Sequence, residues 1–195
     1  MKRARLIVAF AVWGAATAGG LYTIAAHGAA AGVAADAPTT LGVSLRSAGR
    51  PSLIIAAHPS CPCTRATFNE LDRILAAPDL TGHVDADVVV LFAGSPKRDR
   101  VADDLRSRAE AMKGVRVIDD PKQEIAKGLG AHTSGTVLFY DAKGALKFSG
   151  GITPSRGHEG DNAGADSIHK LLAASKDSVR STPVYGCSLT SKPTP

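Results

Sequence analysis

Cys61 and Cys63 stand one residue apart, on either side of Pro62, in the run Leu53-Ile54-Ile55-Ala56-Ala57-His58-Pro59-Ser60-Cys61-Pro62-Cys63-Thr64-Arg65. An apolar, strand-like stretch ends in His58-Pro59-Ser60, and helical spacing starts directly after the thiols. A thiol at a strand-to-helix corner sits at the positive end of a helix. That end favours thiolate, the form that attacks disulfides and binds metals. Residue types and position together point to redox or metal chemistry rather than packing. Ser60 reads as the helix N-cap, with Pro62 tolerated in the first turn because N–H groups there have no intrahelical partner. Cys61, nearest the strand end, reads as the exposed nucleophile, its pKa lowered by the helix terminus and by His58, and Cys63 as the resolving thiol. Side chains two apart on a helix point to nearly opposite sides. A Cys61–Cys63 bond therefore requires Cys61 to leave helical geometry, and such a bond is strained and more oxidising than a structural disulfide.

Cys187 lies far along the chain, in Pro183-Val184-Tyr185-Gly186-Cys187. It can pair with Cys61 or Cys63, act as a third redox thiol, ligate a metal, or be incidental to the tail. Thiolate and imidazole suit Cu(I) and Zn(II). His58, Cys61, Cys63 and Cys187 are thus an alternative ligand set, with copper the alternative cofactor and no cofactor the first expectation. The spacing matches no standard zinc signature. His132 and His158 read as solvated loop histidines. The stretch 150–164 is polar and Gly-rich, a surface loop long enough to cover a site, and Asp161 or Asn162 reads as the cap of the helix that follows. Nucleophile-elbow, zinc-protease, dinucleotide-binding and haem-attachment motifs are absent.

These thiols need elements to hold them, and a compartment in which they can oxidise. The chain has 195 residues, 44% hydrophobic and 21% charged, enough for one domain with a core plus an N-terminal appendage. Aromatics are 5% of the chain, and three of the positive charges behind the net +5 fall in the first five residues. Neither feature fits a nucleic-acid surface. Lys2, Arg3 and Arg5 precede a segment without charge from Leu6 to Ala35. Its apolar run is close to the roughly 20 residues that span a bilayer, which favours a membrane anchor over a cleaved signal peptide. Either outcome places the rest of the chain outside the cytoplasm, where disulfides persist.

The expected organisation is a signal or transmembrane segment over 1–35, a linker over 36–50, a folded domain over 51–189 and a tail over 190–195. Leu53–Ala57, Asp87–Phe92, Val115–Ile118 and Thr136–Tyr140 read as strands. Asp141-Ala142-Lys143-Gly144 reads as a hairpin turn returning through Ala145–Phe148. Helical spacing follows the thiols (Phe68, Leu71, Ile74, Leu75) and recurs over 97–113, over 122–129 and at Ile168, Leu171 and Leu172. Alternating strands and helices with a terminal hairpin give an α/β domain with a mixed sheet covered on both faces.

This order, with a cysteine pair at the first strand-to-helix corner, resembles the thioredoxin-like superfamily, and most of all the exported thiol–disulfide oxidoreductases of the TlpA type. The residues that carry the resemblance are Cys61-Pro62-Cys63, the strand ending at Asp119, and Thr136 to Gly144. Within that group the chain is similar to the bacterial RedB-like proteins, through His58-Pro59, Ser149 to Thr153, Arg156-Gly157-His158, Gly160-Asp161-Asn162, Pro183 and Gly186-Cys187. The resemblance implies a three-layer α/β/α sandwich behind an N-terminal apolar helix. It implies a periplasmic oxidoreductase, anchored in the bacterial inner membrane or released from it, that exchanges disulfides with a protein partner through Cys61 and Cys63. The chain departs from the pattern twice. The usual cysteine pair has two intervening residues, and Gly135 stands where thioredoxins place a cis-proline facing the cysteines. Two other readings therefore stay open, copper or zinc delivery by the same thiols and a non-catalytic interaction module.

Overall fold

The structure is a computed structural model and describes residues 2–42, 45–80, 84–94, 100–175 and 177–189. The expected tail 190–195 and the first residues of the expected helix 97–113 lie outside these. Two units are distinguished by packing, Met1–Ala30 and Ala31–Pro195. The first is a single helix, α1 (Lys2–Ala29), whose 28 residues extend about 42 Å at 1.5 Å per residue. Over Arg3–Ala29 it is long and apolar enough to cross a membrane.

The second unit is built on a sheet of β1 (Ser52–Ala57), β2 (Asp87–Ala93), β3 (Val115–Asp120), β4 (Thr136–Tyr140) and β5 (Leu146–Gly150). Its order is β3-β2-β1-β4-β5. β1, β2 and β3 run parallel, while β4 is antiparallel to β1 and β5 to β4. The parallel members are joined through α2 (Cys63–Leu75) and α3 (Arg100–Ala111). α4 (Glu124–Gly128) leads to β4, and α5 (Ala163–Leu172) follows β5. This is the thioredoxin-like α/β architecture. The β4–β5 turn forms as the sequence predicts: the Asp141 side chain accepts from Lys143 N and Ala145 N, and Gly144 takes φ +84°, which a residue without a Cβ adopts at little cost.

Apolar residues on β1, β2 and β4 are buried on both faces, as continuous hydrophobic runs require. One face packs Leu53, Ile55, Val90 and Phe139 against Phe68, Leu71 and Ile74 of α2, Leu105 of α3 and Ile168 of α5. The opposite face packs Ile54, Val89, Leu91 and Leu138 against Ala126 of α4, Leu129, and Leu41 and Leu45 from before β1. α4 has five residues and cannot cover a sheet alone. The stretch read as a linker over 36–50 supplies part of the missing layer. Asp36 N donates to Gly130 O, Leu41 N to Gly144 O, and Tyr140 Oη to Pro38 O. Its small and polar composition hides this role, because backbone hydrogen bonds and two isolated leucines do the covering.

α2 carries the thiol corner, and its position depends on Phe68, which is fully buried and meets the Phe92 ring edge-on at 6.0 Å. Phe68→Ala is expected to destabilise the domain by about 3–5 kcal/mol in urea unfolding of the reduced protein. A loss under about 1 kcal/mol would show that α2 is held by other contacts.

Candidate thiol site

The chain leaves β1 through His58-Pro59-Ser60 and turns before α2. Cys61 N donates to His58 O and Thr64 N to Cys61 O, so Cys61 sits in the turn rather than on the helix. The N-cap position is Pro62, at φ −59° and ψ −30°, and α2 begins at Cys63. The expectation of Ser60 as cap is corrected here. Its backbone N–H instead donates to His58 Nδ1 at 3.1 Å, which turns the imidazole onto its own loop.

The structure brings the third cysteine to this corner. Cys61 Sγ and Cys187 Sγ are 2.8 Å apart across 126 residues of sequence. All three cysteines are free thiols. Cys61 is completely buried, while Cys63 and Cys187 are partly exposed. The expected exposure of Cys61 is therefore corrected. The corner turns its sulfur inward, under the C-terminal segment, and the accessible sulfurs are the other two.

Burial alone opposes a thiolate at Cys61. Hydrogen bonds from the Cys187 thiol and backbone N–H, the Thr64 hydroxyl and the Cys63 N–H outweigh it, so the Cys61 pKa lies below the usual thiol value of 9.0. Cys63 is shifted up, by burial, by the charge on Cys61 and by donating its own hydrogen bond to that sulfur. Cys187 is pushed up to about 12, by burial, by the hydrogen bond it gives Cys61 and by the neighbouring charges. Of the three thiols, Cys61 is thus the one shifted towards thiolate.

Ser134, in the loop before β4, holds the corner together. Its Oγ accepts the His58 N–H at 2.8 Å and lies 2.8 Å from Thr64 Oγ1. Thr64 has one hydroxyl proton, and its bond to the Cys61 thiolate uses it. With Cys61 as thiolate, Ser134 donates to Thr64, which gives a chain of hydrogen bonds from Ser134 through Thr64 to Cys61. The Ser134 backbone N–H donates to Cys187 O at 2.8 Å, and Leu189 N donates to His132 O at 2.8 Å. Together with the antiparallel bridge Thr133↔Ser188, these bonds fix the register of the C-terminal segment and put Cys187 over Cys61.

Two glycines make that approach possible. Gly135 has φ +89°, which proline at about −65° cannot adopt. A Cβ there would lie 3.1 Å from Thr67 Oγ1 and 3.4 Å from Tyr185 O. A Cβ on Gly186 would overlap the Ser134 carbonyl. The position at which the family pattern has a proline is therefore shaped to receive the chain's own segment 185–187.

The long loop after β5 also reaches the site. Arg156 donates to Gly186 O, and its charge favours thiolate at both Cys63 and Cys187. α2 clamps this loop: buried Glu70 accepts the Gly160 N–H at 2.6 Å, and Asn69 donates to Glu159 at 2.6 Å. Asn162 caps α5 by accepting Ala165 N at 2.9 Å. His158 is exposed, with Nδ1 2.7 Å from Arg156 O. His132 contributes its carbonyl. Among the described residues, no group of three or more His, Cys, Asp and Glu side chains is disposed to hold a metal ion. Ser134, Thr64 and the part played by Arg156 were not foreseen from sequence. The one signal for Ser134 was its place beside the unusual Gly135.

No family model matches the chain, and no curated protein matches it. Among solved structures, an uncharacterized conserved protein from Geobacillus kaustophilus superposes with a TM-score of 0.58 at 18% identity, over 86% of this chain and 95% of that one. A hypothetical protein from Sinorhizobium meliloti superposes with a TM-score of 0.57 at 17% identity, over 82% and 93%. A secreted disulfide oxidoreductase from Mycobacterium tuberculosis has a TM-score of 0.48 at 18% identity, over 73% and 95%. At such identities the likeness is one of fold.

The hydrogen-bond chain has a measurable consequence. In the reduced protein, ultraviolet thiolate absorbance should rise in a first step below pH 9.0, from Cys61, with Cys187 ionising last, near pH 12. A lowered pKa rises again when donors are removed. Ser134→Ala and Thr64→Val should therefore each move the first step to higher pH. A first step that stays in place in both variants would exclude the chain.

Proposed function

We propose that this chain is an extracytoplasmic, thioredoxin-like thiol–disulfide oxidoreductase, with Cys61 as the central sulfur and a protein dithiol or disulfide as its partner. The observation that carries the reading is the convergence of three thiols on one buried, hydrogen-bonded sulfur whose pKa is lowered. Packing alone gives no reason for it, since cysteines buried as small hydrophobes need no such donors. Thiol–disulfide exchange needs a thiolate, a good leaving sulfur and a second thiol in reach to resolve the mixed disulfide. Cys61 supplies the first two and its neighbours the third. In this reading Cys61 and Cys63 carry the chemistry named from sequence, with Cys187 as a third thiol. His58, Pro62 and Gly135 position the corner. The apolar helix α1 anchors the domain at the inner membrane or directs its export, and the domain works in the periplasm. On the residues that carry the RedB-like resemblance, we also propose kinship with that group.

The experiment is exchange with glutathione redox buffers on protein purified without air, with metal content measured on the same sample. A two-electron couple is expected at a potential above about −300 mV, the region below which structural disulfides lie. Cys61→Ser should slow exchange about a hundredfold or more, because the remaining thiols are mostly protonated near neutral pH. Stoichiometric copper that is lost in Cys61→Ser, with no two-electron couple, would overturn this reading in favour of metal delivery. Neither metal nor exchange would leave the interaction module.

A further inference from the structure

The redox reading leaves open which two sulfurs bond. We propose that the oxidised protein holds a Cys61–Cys187 disulfide between the β1–α2 corner and the C-terminal segment, with Cys63 left as the free thiol. The inference rests on the redox reading and names the pair within it.

Geometry separates the two possible bonds to Cys61. A formed disulfide has its sulfurs about 2.05 Å apart. The Cys61 and Cys187 sulfurs at 2.8 Å need to move by less than an ångström. Both backbones are already fixed in that register, Cys187 by Ser134 N–H on its carbonyl and Cys61 by the turn that Thr64 N–H closes. Closing this bond disturbs neither. Cys63, in contrast, opens α2, with Pro62 at helical angles between it and Cys61. Cys63 comes near enough to donate to the Cys61 sulfur, but a bond between them would close a tight ring across Pro62 at the start of the helix. A Cys61–Cys63 bond would have to unwind the first turn, including the Arg65 N to Pro62 O bond. Gly135 and Gly186 point the same way, since each lacks the side chain that would hold Cys187 off the corner.

The pair also assigns a point of attack. Cys61 is fully buried, so an incoming partner thiolate reaches the Cys187 sulfur. It bonds to Cys187 Sγ, and the Cys61–Cys187 bond breaks with its electron pair leaving on Cys61. That sulfur is already furnished with donors. The partner's second thiolate then attacks the partner's own first sulfur. A disulfide forms in the partner, and the pair leaves on Cys187, which takes up a proton. One partner dithiol is oxidised by two electrons and one protein disulfide becomes two thiols.

The test uses the full chain in detergent, oxidised with diamide. Free thiols are labelled with iodoacetamide, the protein is reduced, and the released thiols are labelled with N-ethylmaleimide. Tandem mass spectrometry then locates each label, because Cys61 and Cys63 share a tryptic peptide and only fragmentation separates them. The expected pattern is carbamidomethyl on Cys63 and maleimide on Cys61 and Cys187. Gly186→Ala keeps all three thiols but displaces the segment, and should slow closure of the bond about tenfold or more, as small misplacements of reacting atoms do. Carbamidomethyl on Cys187 or Cys61, or closure in Gly186→Ala at the original rate, would overturn the pairing while the exchange reading stands on its glutathione couple. Carbamidomethyl on all three after full oxidation, with no such couple, would overturn both.

Discussion

Each segment that brings a thiol to the corner is bonded to Ser134. Its hydroxyl takes the backbone N–H of His58 at the end of β1 and meets Thr64 at the start of α2, while its own N–H holds the Cys187 carbonyl. Three pieces of chain, separated by about seventy and then fifty residues, thus converge on one side chain and one peptide group. The site is buried there, so these bonds are made in a low-dielectric setting where an unmade one is costly. The reactivity of Cys61 depends on the same contacts. The oxygen that positions Thr64 also frees its proton for the thiolate.

The fold serves this arrangement through its asymmetry. Three helices cover the face of the sheet that carries α2, and they give the corner a rigid base. The other face has one five-residue helix and lets an irregular stretch before β1 complete it. That economy leaves the loops at the C-terminal ends of β1 and the N-terminal end of β4 open to a further strand-like segment. The segment 181–189 uses the opening, bridging to Ser149 by Ser181 and to Thr133 by Ser188.

Much of this was legible in the sequence, where local pattern decides structure. The run Leu53–Ala57 is apolar on every residue, Thr136–Tyr140 on all but its first, and both read as buried strands. Asp141 to Gly144 carries its turn chemistry in its own residues. The corner thiols were legible because strand, proline and helix follow one another directly. The approach of Cys187 to Cys61 was not, since nothing local ties it to a residue 126 positions away. The inward turn of Cys61 was missed for a related reason. Exposure at a corner depends on what covers it, and the cover is the C-terminal segment. The layer formed by 36–42 and Leu45 was missed because its hydrogen bonds come from peptide groups, which composition does not report.

In the proposed exchange, coupling among the sulfurs gives the third thiol a part to play. Interacting sulfurs this close cannot all ionise, so the charge settles on the sulfur with the most donors and raises the pKa of the others. In the proposed exchange Cys61 is therefore the better leaving sulfur, and Cys187, pushed up to about 12, takes up a proton. Arg156 tempers that preference, because its charge favours thiolate on Cys63 and Cys187 while it hydrogen-bonds the backbone at Gly186. It sits on a loop that α2 clamps through Glu70 and Asn69. The same helix thus fixes both the thiols and the cation that balances them. Unseating the loop would raise the pKa of Cys63 and Cys187 and so widen their gap from Cys61 without touching any cysteine.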